Sequence, residues 1–334
     1  MQIKSNRFPE KYIIGGTNMK RIGIVGAGII GVSHKNAIMK NSNCCLVAVC
    51  DVVIEKARNL VEGTTIPVYT DYKEMAQNVE LDAVILNLPH FLHKEVTIYF
   101  LERKIAVLVE KPMANTVKEC DDMISAAQEN NTLLAVGHVQ RYFEAYRTLH
   151  NMIATEELGK LCLVTESRNI YYFAENRPKW FLDKAKAGGG ITMNYGAHSL
   201  DKILYTTEAV IEKVSANGNN FMNDADVEAA AQILLKLSNG VSVSLSYCGG
   251  YSPYLEETIF YFTEGVAKVC GNRELWISKK GMEFKRVDLD YAVVAIEKQL
   301  DEFIKLLNDE KSEIVTPQYG REIIRVLEKA FEQF

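Results

Sequence analysis

Residues able to do chemistry first gather at Gly26-Ala27-Gly28-Ile29-Ile30-Gly31, a G-x-G-x-x-G turn between an apolar run and a helical pattern. In such a turn the first glycine permits the tight bend and the second lets a pyrophosphate approach the backbone. The third allows close helix–strand packing, while the helix N-terminus offers N–H donors and positive potential. Asp51 closes the next apolar run, twenty positions after Gly31, where a carboxylate can accept from ribose hydroxyls. This order predicts a dinucleotide site, although a flavin or another nucleotide could use the same framework.

Two further stretches could act on a substrate. Glu110-Lys111-Pro112 follows a β-branched run, on the rim where open α/β sheets bind ligands. By position alone Lys111 reads more readily as a solvated surface charge than as a catalytic group. Gly188-Gly189-Gly190 precedes Asn194, His198 and Asp201. On a regular helix the four-residue spacing puts Asn194 and His198 on one face, with Asp201 on the adjoining flank. Read alone, His198 is as compatible with a satisfied core histidine as with a catalytic base. No His/Cys/Asp/Glu set has metal-ligand spacing, and no serine sits in a nucleophile elbow.

The elements that must carry these residues follow from periodicity. Between Met19 and Tyr142, short β-branched runs alternate with amphipathic segments: Arg21–Val25, Leu46–Cys50, Pro67–Tyr69, Ala83–Leu88, Ala106–Val109 and Leu133–Val136 read as strands. That rhythm predicts an α/β Rossmann domain, a parallel doubly wound sheet, over residues 19–142. Beyond it lie longer alternating runs separated by turns such as Ser238-Asn239-Gly240. They predict an α+β domain over 143–334 with a large, mostly antiparallel sheet. A regular helix is expected through Asn194 and His198, and two more close the chain, near 292–308 and 320–334. Residues 1–18 are polar and aperiodic. They read as a non-native or flexible extension, with Met19 as the native start.

Composition narrows the classes. The chain has 334 residues and a net charge of −5, without basic clusters. Such a balance offers no footprint for nucleic acid or an anionic membrane. No apolar stretch reaches membrane-span length, and the first residues lack the apolar core of a signal peptide. The seven cysteines include no Cys-x-x-Cys and are expected to be buried thiols. A cytoplasmic protein is expected.

The glycine turn, Asp51, Pro89 with His93, Glu110-Lys111-Pro112 and the Gly188–Asp201 block occur in an order that resembles the glucose–fructose oxidoreductase/inositol dehydrogenase (Gfo/Idh/MocA) family. Val136–Tyr142, Leu158–Leu161 and Arg177-Pro178-Lys179-Trp180 look like further landmarks, so the resemblance runs from Met19 to the C-terminus. It implies an NAD(P)-dependent oxidoreductase moving hydride between nicotinamide and an alcohol or ketone of a sugar, cyclitol or nucleotide sugar. It also implies a homodimer or homotetramer joined through the second sheet.

By position, the resemblance implies a catalytic Lys111 and His198, with Asn194 where many members have aspartate. It implies cofactor contacts from Gly26, Gly28, Ile29, Ile30, Gly31, Asp51, Leu88, Pro89, His93, Glu110 and Lys111. Substrate contacts are implied for Lys111, Arg141, Tyr171, Trp180, Asn194 and His198, and the Lys111–Pro112 bond is implied to be cis. His34, His93, His138 and His150 are expected in structural or cofactor-rim roles. Asp51 followed by Val52-Val53, with no Arg or Ser before Arg58, favours NAD(H) over NADP(H). An amide at 194 cannot take up a proton. That keeps two other readings open: a non-catalytic NAD sensor, and the same fold acting on an imine or enone or in redox-assisted glycoside cleavage.

Overall fold

The computed structural model describes residues 19–222, 224–250, 253–292 and 294–334. The expectations for residues 1–18 lie outside the described residues.

The first domain alternates as its sequence predicts. Its strands are β1 (Lys20–Val25), β2 (Cys44–Cys50), β3 (Val68–Tyr69), β4 (Ala83–Leu86), β5 (Ala106–Glu110) and β6 (Leu134–Gly137). Between them run α1 (Ile29–Lys40), α2 (Ile54–Leu60), α3 (Tyr72–Asn78), α4 (His93–Leu101) and α5 (Val117–Glu129). The strands pair in parallel in the order β3-β2-β1-β4-β5-β6. Strand β4 is buried along its whole length, as a strand covered on both faces must be. The order reverses beside β1, so a crevice opens above the carboxyl ends of β1 and β4. Strand β4 stops at Leu86 rather than Leu88, because Asn87 turns under the glycine turn and packs its main-chain oxygen against Gly26.

Helix α6 (Glu144–Ala154) leads to β7 (Leu161–Asn169), a loop, the short α7 (Lys184–Ala187) and α8 (Ala197–Thr207). Seven strands follow: β8 (Ile211–Asn219), β9 (Ala230–Leu237), β10 (Ser242–Cys248), β11 (Leu255–Phe262), β12 (Gly265–Cys270), β13 (Glu274–Lys279) and β14 (Lys285–Arg286). With β7 they form one sheet in the order β14-β13-β12-β11-β7-β10-β9-β8. Its neighbours run antiparallel except β7 and β10, which are parallel. Strand β9 alternates buried and exposed residues, so only one face is covered, and α8 supplies part of that cover.

The two domains share a core. Helix α9 (Ala295–Leu307) follows the second sheet in the chain, yet Leu300, Phe303 and Ile304 pack with Ile22, Ile24 and Leu108 of the first. Helix α10 (Pro317–Phe331) is capped by Thr316, whose hydroxyl accepts from the Tyr319 N–H. The cysteines are all free, but only Cys44, Cys50 and Cys120 are buried. The expectation of buried thiols fails for Cys162, which is exposed, and for Cys45, Cys248 and Cys270, which are half-buried. Among the described residues no helix is long and apolar enough to cross a membrane.

Candidate active site

At the amino end of the crevice each glycine has a distinct part. Gly26 has φ +99°, and an added Cβ would stand 2.3 Å from the Asn87 main-chain oxygen. A Cβ on Gly31 would stand 2.4 Å from the Gly26 carbonyl oxygen, whereas one on Gly28 would meet nothing. The outer two glycines therefore close the turn, and Gly28 leaves its outer side open for a ligand. Asp51 accepts from the Ala27 N–H at 2.8 Å and from the Val53 N–H at 2.9 Å. It fixes the glycine turn while retaining lone pairs for another donor.

Beside this turn stand Ile29 (87% exposed) and Val52 (85% exposed), with Ile30 and Val53 also exposed. An apolar cluster held in water beside N–H donors and a carboxylate suits a ligand with an aromatic ring, a pyrophosphate and ribose. The residues present fit a dinucleotide. Leu88 and Pro89 are half-buried on the same rim. His93 is not on it: the ring is fully buried, 2.9 Å from the carbonyl oxygens of both Pro112 and Leu88. The expected cofactor contact of His93 is therefore corrected to holding those two loops together.

Behind the next strand end, His34 on α1 lies 3.0 Å from Glu110 Oε1, and Glu110 Oε2 accepts from the Lys111 N–H at 3.2 Å. Burial alone would raise the Glu110 carboxyl, but the His34 hydrogen bond and the charge of Lys111 outweigh it, and it stays below its usual range. The Lys111–Pro112 bond is cis. Lys111 Nζ donates to the Asn194 side-chain oxygen at 2.8 Å and to its main-chain oxygen at 3.1 Å. Burial, reinforced by Arg168 and Arg177 and opposed by Glu110, brings the ammonium down to about 8.

The helix expected through residues 188–201 is irregular. Residues Thr192–Gly196 form a π turn that runs directly into α8, so Asn194 and His198 are not separated by a regular α-helical turn. Both are nevertheless almost fully buried, at 9% exposure each. Burial, with Lys111 and Arg168 nearby, holds the His198 imidazole well below its usual pKa, and Nδ1 has no partner among the described residues. A neutral imidazole and a largely charged ammonium thus lie close enough for the lysine's charge to act on the histidine. One can take up a proton while the other stabilises negative charge.

The remaining expected residues are placed as follows. Arg141 Nε donates to Asp201 Oδ1 at 3.0 Å, and the guanidinium lies 4.6 Å from the Tyr319 ring centre. Burial opposes its charge, and Asp201 more than restores it. Arg141 is thus already engaged by Asp201, which is fully buried. Trp180 stacks on Phe181 at 3.7 Å and meets the buried His90 edge-on at 4.8 Å. Tyr171 is exposed just after β7.

Sequence reasoning missed several participants. Glu228 accepts from the N–H groups of Gly190 and Thr192, both at 2.8 Å, and so fixes the glycine segment before the π turn. Arg168 on β7, 1% exposed, faces the Tyr195 ring at 4.8 Å and pairs with Glu256. Arg177 lies 3.9 Å over Tyr172. Glu228 and Arg168 come from a loop and a strand far from the motifs they serve, so no local spacing marks them, whereas Arg177 lies in the Arg177-Pro178-Lys179-Trp180 landmark but had no role assigned to it. The one available signal was a charged residue, Arg168, inside an alternating strand.

A parallel dinucleotide-binding sheet joined to a mostly antiparallel sheet, with a lysine of one domain close to a histidine of the other, defines a two-domain oxidoreductase class. Family models agree. The model of the oxidoreductase family with NAD-binding Rossmann fold matches residues 20–138, and that of the GFO/IDH/MocA C-terminal domain matches residues 146–268. The chain belongs to the Gfo/Idh/MocA family.

Among its relatives, 2,7-anhydro-N-acetylneuraminate hydratase of Mediterraneibacter gnavus is 28% identical over 210 residues, which are 62% of this chain and 55% of that protein. Inositol 2-dehydrogenase of Salmonella typhimurium is 31% identical over 164 residues, 48% of each chain. The chain thus spans about half the length of the curated relatives it matches. The aldose–aldose oxidoreductase structure from Caulobacter crescentus superposes with TM-score 0.85 at 20% identity, covering 95% of this chain and 97% of that one. That likeness shows a shared fold.

Proposed function

We propose that this protein is an NAD(H)-dependent oxidoreductase acting on a secondary alcohol or ketone of a sugar, cyclitol or nucleotide sugar. The observation that carries the reading is the hydrogen bond from Lys111 to Asn194, with His198 near enough to feel the lysine's charge, beside a glycine turn open to a dinucleotide. A bound nicotinamide supplies the acceptor or donor of a hydride. In the oxidation direction His198, held neutral, takes the hydroxyl proton. Lys111 stabilises the negative charge on that oxygen as the carbon's C–H bond breaks and the C=O forms. Asn194 orients the Lys111 ammonium, while His34 holds the Glu110 carboxylate that lies beside it.

The proposed binding residues extend along the rim. Gly26, Gly28, Ile29, Ile30, Gly31, Asp51, Leu88, Pro89, Glu110 and Lys111 hold the cofactor, and Asp51 favours NAD(H). Lys111, Asn194, His198, Tyr171 and Trp180 meet the substrate, with Arg141 acting through Asp201. The outer face of the second sheet joins copies into a homodimer or homotetramer, and the protein works in the cytoplasm.

A second reading is favoured by one relative. The name of the Mediterraneibacter gnavus protein is that of a hydratase, and addition of water at this site would leave no net change in NADH. One experiment separates these. The purified protein is incubated with NAD or NADH and a panel of sugars, cyclitols, sugar nucleotides and anhydro sugars, following both NADH absorbance and product mass. Net NADH change supports the dehydrogenase. Product without net change supports the second reading, and NADH binding with neither leaves a sensor.

A further inference from the structure

The charges around the cleft are paired unevenly. Each buried carboxylate nearby is already engaged: Glu110 by His34, Asp201 by Arg141, Glu166 by Lys202, Glu256 by Arg168, and Glu228 by two backbone N–H groups. Arg177 is different. Its guanidinium lies over Tyr172 at 3.9 Å and 5.0 Å from the Phe181 ring centre, its Nε is buried without a partner, and it forms no ion pair among the described residues.

This cation belongs to the site. The Tyr172 ring stands 6.2 Å from that of Tyr195, whose chain neighbour Asn194 holds Lys111 at 2.8 Å. Arg168 faces the other side of this cluster, with its Nε and Nη1 also buried and unpartnered. Both guanidiniums lie near enough to disfavour charge on Lys111. Arg177, half-buried and without an ion pair among the described residues, is the cation that a bound anion would complete. A planar fork stacked on an aromatic ring is the arrangement that receives a carboxylate through two parallel hydrogen bonds.

We propose that the substrate is a carboxylated sugar or cyclitol whose carboxylate is bound by Arg177, the reacting carbon lying toward Lys111 and His198. This deepens the oxidoreductase reading and rests on it. Arg168 adds positive potential from behind the Tyr195 ring. A single accessible guanidinium matches one carboxylate better than a diphosphate, which would need several donors.

The test is calorimetric binding to the NADH-loaded protein. Probes are glucuronate, galacturonate, quinate and N-acetylneuraminate, each beside its methyl ester, with glucose 6-phosphate and a UDP-sugar as other anions. At least one acid should bind, and more tightly than its ester. Arg177→Gln should weaken that acid at least about thirtyfold, as expected when one partner of a desolvated charge pair is removed. Arg177→Lys should restore part of the loss, and the ester and NADH should bind the variants as they bind wild type. The inference is overturned if no acid outbinds its ester, if a phosphate compound outbinds every acid, or if Arg177→Gln leaves the acid unaffected. Turnover is measured separately. Acid binding lost in Arg177→Gln without NADH change or product would keep the carboxylate site and remove the redox reading.

Discussion

Lys111 Nζ donates to Asn194 Oδ1 across the two domains at 2.8 Å, so the ammonium is oriented by an amide and carries no counterion there. Replacing that amide with a carboxylate would stabilise the charged lysine and raise its pKa from about 8. Wild-type kcat/KM for oxidation should therefore hold a plateau near neutrality and fall as pH rises through about 8, where Lys111 loses its proton. It should fall again only in acid, well below the usual histidine value, as His198 becomes charged. In Asn194→Asp the alkaline limb should move to higher pH while NADH affinity stays the same. An alkaline limb that does not move would remove Asn194 from control of Lys111.

Lys111→Ala and His198→Ala should each lower turnover on the true substrate by at least about a hundredfold, the usual range for a general acid or base. NADH titration of His198→Ala should remain near wild type, and Lys111→Ala should weaken NADH far less than turnover, because the glycine turn and Asp51 are untouched. Either alanine variant with near-normal turnover takes its residue out of the proposed chemistry.

Cofactor choice should follow Asp51. A carboxylate about 4 Å from a 2′-phosphate costs roughly 4 kcal/mol per unit charge at an effective dielectric near 20. NADH should therefore bind more tightly than NADPH in fluorescence titration. Asp51→Ser should narrow the gap and weaken both, since Asp51 also holds the Ala27 and Val53 N–H groups. Tighter NADPH binding by the wild-type protein would contradict this assignment.

The alternation of short strands and helices was legible because each first-domain strand is a short apolar run ended by glycine, proline or charge. Asp51 and Lys111 were legible for the same reason: a strand's carboxyl end is a fixed place. What local pattern could not reveal were interactions closed by distant residues. His93 reads as a rim residue until Leu88 and Pro112 are seen on either side of it. Glu228 has no signature because it meets Gly190 only through tertiary packing, and the packing of α9 against the first sheet is invisible to periodicity for the same reason.

Stability should be sensitive to the buried charges beneath α8. Lys202 lies 3.3 Å from Glu166 and 3.4 Å from Glu256, all three buried. Burial, opposed by Glu166, lowers Lys202 to about 7. Lys202→Met would leave Glu166 without its cation and should destabilise the protein by roughly 3 kcal/mol, as other broken buried pairs do. Urea denaturation at neutral pH measures this, and an unchanged midpoint would mean that Ser199 and Thr258 suffice for Glu166.

The π turn at Thr192–Gly196 also has a consequence for phase. Such a turn is equivalent to one residue inserted into an α-helix. Each helical residue advances the face by about 100°. Deleting a single residue between Asn194 and His198 would let the helix run regularly and keep its two ends in phase, but would turn Asn194, inside the wide turn, by part of that angle relative to His198. The segment could keep one of them at Lys111 and would carry the other away. The site therefore depends on the count of residues here as much as on their identity, and a one-residue deletion is a sharper disruption than most substitutions.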